Sequence, residues 1–93
     1  MSEDLIYQDK SEYQGKIGTL VLTRSDVKFL FISTTGARNI LLQSRIQDLD
    51  AKVEGFFPKK LVLFTKSPAQ THLLKISNPE IWVKKINTTK QEE

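Results

Sequence analysis

From Gly18 onward the chain alternates. Leu20 and Leu22 fall on one side, with Thr19, Val21 and Thr23 on the other. After the compact polar turn Arg24-Ser25-Asp26, Val27, Phe29 and Phe31 share one face, opposite Lys28, Leu30 and Ile32. Two period-two runs joined by a short polar turn predict a β-hairpin. Ahead of it, Leu5-Ile6-Tyr7 is the only apolar run before Tyr13, so a short first strand is expected. Beyond it, the loop Ser33–Arg38 leads to a fourth strand at Ile40-Leu41-Leu42, and Arg45-Ile46 leads into a fifth through about Val53. Gly55-Phe56-Phe57-Pro58 ends that strand, since proline has no N–H to give a central ladder. Leu61–Phe64 makes a sixth strand, Ser67-Pro68-Ala69 a turn, and His72–Ile76 a seventh.

The period then changes. Asn78 supplies an N-cap oxygen, Pro79 suits the first helical position, and Glu80 meets the positive end of the helix dipole. Pro79, Trp82, Val83 and Ile86 recur at spacings of three and four, which puts them on one helical face. A helix of about nine residues does not hold in water alone and needs an apolar surface to cover. The strands supply one. The expected architecture is mostly β: a seven-stranded antiparallel barrel or sandwich, capped at one mouth by a single C-terminal α-helix with Trp82 as the stopper. Its core is expected to comprise Gly18, Leu20, Leu22, Val27, Phe29, Phe31, Ile46, Leu63, Leu74, Trp82 and Ile86. Residues 1–87 form one domain on this reading and residues 88–93 a polar tail.

Composition narrows the chemistry. With no cysteine in 93 residues, disulfides, thiolate nucleophiles and Cys-ligated zinc are excluded. The net charge of +3 is unevenly spread: residues 1–14 carry −3, residues 15–60 carry +4 and the remainder +2. A basic body admits an anionic partner. No signal peptide, lipidation motif or membrane-length apolar run is present, and an intracellular location, cytoplasmic or nuclear, is expected.

Gly18-Thr19-Leu20-Val21-Leu22-Thr23 followed by Val27-Lys28-Phe29-Leu30-Phe31 resembles the "G-x-L-x-L-T, hydrophobic, x, F" hairpin of GRAM-type domains in the pleckstrin-homology (PH) superfold. Ser44-Arg45-Ile46 falls where that pattern has its Ser-Asp-Ile strand entry, and the Trp-bearing helix matches the closing helix of the superfold. The spacing from Gly18 through Gly55, and the Ser77-Asn78 ending before the helix, is similar to the N-terminal PH domain of a TFIIH core subunit. The resemblance implies a PH-like fold. It also implies two ligand classes: phosphoinositide for some members and acidic activation segments for the TFIIH type, which is lysine-rich along its fifth strand. Here that strand carries Asp48, Asp50 and Lys52.

Candidate catalytic groups are few: a single histidine, no glycine-rich phosphate loop and no metal-ligand cluster. Asp48 and Asp50, two apart, fall on one face of the expected fifth strand and read as solvated carboxylates. His72 lacks a nucleophile partner and reads as a strand histidine at the barrel edge. The chain is read as a non-enzyme without cofactor, metal or small-molecule substrate. The stretch Gly55–Lys60 combines two phenylalanines with two lysines. Adjacent strand residues point to opposite faces, so one Phe is expected to be buried and the other exposed beside Lys59. The expected partner-binding residues are Lys52, Phe56, Phe57, Lys59, Lys60 and Lys66. The expected function is a PH-like adaptor module that binds a protein or acidic peptide within a larger assembly. Peripheral binding to anionic phospholipid membrane is the alternative, and nucleic-acid binding a weaker third.

Overall fold

The computed structural model describes residues 5–56, 59–66 and 69–91. Seven strands, β1 (Leu5–Tyr13), β2 (Lys16–Thr23), β3 (Asp26–Ile32), β4 (Arg38–Arg45), β5 (Leu49–Glu54), β6 (Lys60–Lys66) and β7 (Ala69–Ile76), precede one helix, α1 (Pro79–Gln91). The strands are antiparallel in the order β4-β3-β2-β1-β7-β6-β5. β1 pairs with β2 along its length but meets β7 at only three positions, Ser11–Ile76, Glu12–Lys75 and Tyr13–Leu74. The sheet folds over at that seam. Leu20, Leu22 and Phe29 from one half then share a single core with Leu61, Leu63 and Leu74 from the other.

Helix α1 packs against β5, β6 and the turn before β5. Trp82, Ile86 and Pro79 are buried beneath it, and Trp82 meets the Tyr7 ring edge-on at 5.1 Å. Lys85 Nζ lies 5.0 Å from the centroid of the same Tyr7 ring, so two helix residues three apart both hold that tyrosine.

Four details differ from the sequence reading. β1 is nine residues long, not confined to Leu5–Tyr7. Its inward row, set by the pairings of Tyr7 with Leu22, Asp9 with Leu20, Ser11 with Gly18 and Tyr13 with Lys16, is largely polar, so hydropathy conceals it. Its turn is a two-residue one in which Gln14 (φ 53°) and Gly15 (φ 77°) both take positive φ, the requirement of a tight hairpin that matches strand twist. Ile46–Asp48 forms a 3₁₀ turn where a continuous strand was expected. Ile46 N–H donates to the Ser25 carbonyl at 2.9 Å, and Ile46 and Leu49, three apart, are both buried. Asp48 and Asp50 therefore do not share a strand face.

The helix also runs to Gln91, through residues expected to form a polar tail. Thr89 is buried, and Lys90 Nζ donates to the Leu49 carbonyl at 2.8 Å and to Asp50 Oδ1 at 2.9 Å. Finally, Gly18 and Phe31 lie at the margin of the core, while Tyr13, Leu42, Leu49, Leu61 and Ile76 join it.

Candidate functional site

The five described members of the expected binding set lie on β5, β6 and the loop between them; Phe57 lies outside the described residues, as does Pro58. Alternation along β5 turns Leu49 to the core and Asp50, Lys52 and Glu54 outward. Cross-strand pairing builds three outward rows: Asp50–Phe64–Thr71, Lys52–Val62–Leu73 and Glu54–Lys60–Lys75. Phe64 and Leu73 are exposed, and a shallow groove of about 440 Å³ runs between Lys52, Val62, Phe64 and Thr71. At the loop end of this face Phe56 is 85% exposed, while the expectation that the other phenylalanine is buried falls on Phe57, outside the described residues.

The lysines divide. Lys59 Nζ donates to Glu80 Oε2 at 2.6 Å, and this hydrogen bond, with a backbone contribution, holds the Glu80 carboxyl below its usual range. Lys66 lies 3.8 Å from Asp50, whose carboxyl is lowered chiefly by the hydrogen bond from Lys90. Lys59 and Lys66 thus tie the loop and β6 to neighbouring acids. Lys52 and Lys60 make no ion pair among the described residues.

His72 has a role the sequence does not announce. Its Nδ1 lies 2.6 Å from the Tyr13 hydroxyl, and Gln14 Nε2 donates to the same oxygen at 3.3 Å. The Tyr13 hydroxyl thus joins the His72 ring and the Gln14 amide in one side-chain network. Burial lowers the His72 pKa and raises that of Tyr13, so both remain neutral around pH 7. His72 borders a polar cleft with Arg45, Asp48, Thr65 and Gln70. No group of three or more metal-ligating side chains occurs among the described residues.

Because the folded-state pKa of His72 is depressed, the unfolded chain binds the proton more readily. The stability held by the neutral pair is present above the unfolded pKa of about 6.5 and is lost as pH falls through the folded value. The melting temperature of wild type should therefore fall relative to that of His72→Gln as pH is lowered from about 7.5 to 5. Parallel melting curves for the two proteins across that range would refute the role assigned to the pair.

With strand order, seam and capping helix in place, solved structures supply the comparison. The chain superimposes on the linker–DH/PH domains of p115-RhoGEF with a TM-score of 0.78 over 99% of its length, at 12% identity. It superimposes equally on the DH/PH fragment of PDZRhoGEF in complex with human RhoA, with a TM-score of 0.78 over 98% of its length, at 10% identity. The fold is PH-like. This chain spans 30% of each of those longer chains. No protein-family model matches it, and no curated protein does. Within this PH-like frame, the β5–β7 face and the Phe56 loop stand on the half of the sheet against which α1 packs.

Proposed function

We propose that this chain is a non-catalytic adaptor module, part of a larger assembly, whose ligand is an acidic segment of a partner protein with an apolar residue to insert. The segment lies along the outer face of β5–β7, with Phe56 as the anchor and Lys52 and Lys60 as the charges that orient it. One observation carries this reading: an aromatic side chain 85% exposed stands at the end of a face that also exposes Phe64 and Leu73. Exposed apolar side chains along one face, with cations free of ion pairs among the described residues beside them, are the composition of an interface core with a charged rim. Lys52 and Lys60, without an ion pair among the described residues, favour an acidic ligand. Insertion of the same loop into anionic membrane ranks second, because Glu80 already holds Lys59 and each lysine near such a surface is worth only about 1 kcal/mol.

Phe56→Ser combined with Lys60→Gln should leave stability within about 1 kcal/mol of wild type, since Phe56 is an exposed loop tip and glutamine keeps most of the Lys60 side chain without setting a second carboxylate opposite Glu54. The same variant should lose the protein captured by wild type from native lysate. Identical partner sets for the two proteins would overturn the proposal. Co-sedimentation of wild type with phosphatidylserine vesicles, lost in the variant, would replace it with the membrane reading.

A further inference from the structure

The outer face of β1–β4 is a second apolar surface, on the other half of the sheet. Its residues come from the row that strand alternation ordinarily leaves to solvent, yet three of them are isoleucines: Ile17, Ile32 and Ile40 are 60%, 62% and 52% exposed. Register aligns this face. Lys10 pairs with Thr19, Thr19 with Leu30 and Leu30 with Ile40, a single cross-strand row from β1 to β4. Ile17, Val21, Leu30 and Ile32 line a shallow groove of about 400 Å³, with Lys10 and Arg38 at its rim. A contiguous aliphatic surface rimmed by charge marks an interaction site, whereas scattered single apolar residues do not.

Shape and charge identify the occupant. The groove is concave, which fits a protruding ridge and not a flat bilayer. Four strands about 4.8 Å apart span about 14 Å, a length covered by two to three turns of α-helix. Lys10 and Arg38 make no ion pair among the described residues, whereas Glu12, the carboxylate on this face, is engaged by Lys75 at 3.9 Å. A second copy docked by the same face would set these cations against one another. We propose that this groove binds an amphipathic helix of a partner protein, its aliphatic ridge on Ile17, Leu30 and Ile32 and its acidic flanks toward Lys10 and Arg38. The module then holds two partners at once, one on each half of its sheet.

The probe is a synthetic helical peptide with Leu and Ile at i, i+3, i+4 and i+7 and Glu on the flanks; its control carries Lys in place of Glu. Each is titrated into the full chain with labelled Ile and Leu methyl groups. The acidic peptide should shift the methyl signals of Ile17, Leu30, Ile32 and Ile40, and the Lys peptide should not. Arg38→Glu should weaken binding about tenfold, Ile32→Ser should abolish it, and both variants should melt as wild type does because both positions are exposed. Phe56→Ser should leave this binding unchanged, which separates it from the β5–β7 site. Absent methyl shifts at millimolar acidic peptide, or equal binding of the Lys peptide, would overturn the proposal. So would a dimer, or binding to phosphatidylserine vesicles, that Ile32→Ser removes, since the groove would then serve self-association or lipid.

Discussion

Trp82→Ala is expected to cost about 3–5 kcal/mol, the range for truncating a large buried aromatic. Trp82 is fully buried, sits edge-on to Tyr7 and belongs to the cluster shared by both halves of the sheet. A domain of this size holds about 5–15 kcal/mol in total, so the loss should lower the melting temperature by on the order of 10–40 °C. The indole N–H, however, is buried with no acceptor among the described residues. Phenylalanine at this position keeps most of the burial and removes an unsatisfied donor, and Trp82→Phe should therefore be far milder than Trp82→Ala. Thermal melts of the two variants check the pair of outcomes. Equal losses would mean that the indole N–H has a partner and that packing is not the main term.

Gly18→Val should be comparably severe for a different reason. A Cβ at Gly18 would lie 2.2 Å from the Leu30 carbonyl oxygen and 2.8 Å from Phe29 Cζ. The first obstacle is backbone, which cannot rotate away, so β2 and β3 would have to separate where Thr19 pairs with Leu30. Overpacking ordinarily costs about 1–3 kcal/mol, and a clash with main chain belongs at or above the top of that range. Urea unfolding should show a sharply lowered midpoint. A midpoint within error of wild type would show that the two strands part without cost.

The hairpin of β2 and β3 and the helix face were legible because each follows a single period. Leu20, Leu22, Val27 and Phe29 alternate, and Trp82 and Ile86 repeat at helical spacing, and all six are buried. What escaped did so for physical reasons. β1 turns Tyr7, Asp9, Ser11 and Tyr13 inward, a row whose burial depends on partners at both edges and not on its own hydropathy. Ile46 and Leu49 announce a turn by their spacing of three, but inside a strand-rich stretch that spacing competes with alternation. Thr89 and Lys90 read as tail until their distant partners on β5 are known.

The binding residues show the same division. Exposure of Phe56 follows from its loop, a local property. Which lysines remain available is a pairing property: Glu80 and Asp50 remove Lys59 and Lys66 from the set and leave Lys52 and Lys60. The aliphatic outer face of β1–β4 did carry a signal. Leu30 and Ile32 occupy the row that Lys28 marks as outward, so β3 is apolar on both sides, which is the pattern of a strand covered on both faces.

The seam between β1 and β7 also sets an order of assembly. β1 through β4 form a meander of neighbours that closes short loops, whereas the β1–β7 pairing and the contact of Tyr7 with Trp82 join opposite ends of the chain. Loop-closure entropy must be met before such distant pairings return anything, which places them late in folding. During synthesis the apolar inner face of the meander, with Leu20, Leu22 and Phe29, therefore stands uncovered until β7 and the helix have been made. That interval is when the chain is most open to aggregation, and it ends only with the arrival of Trp82.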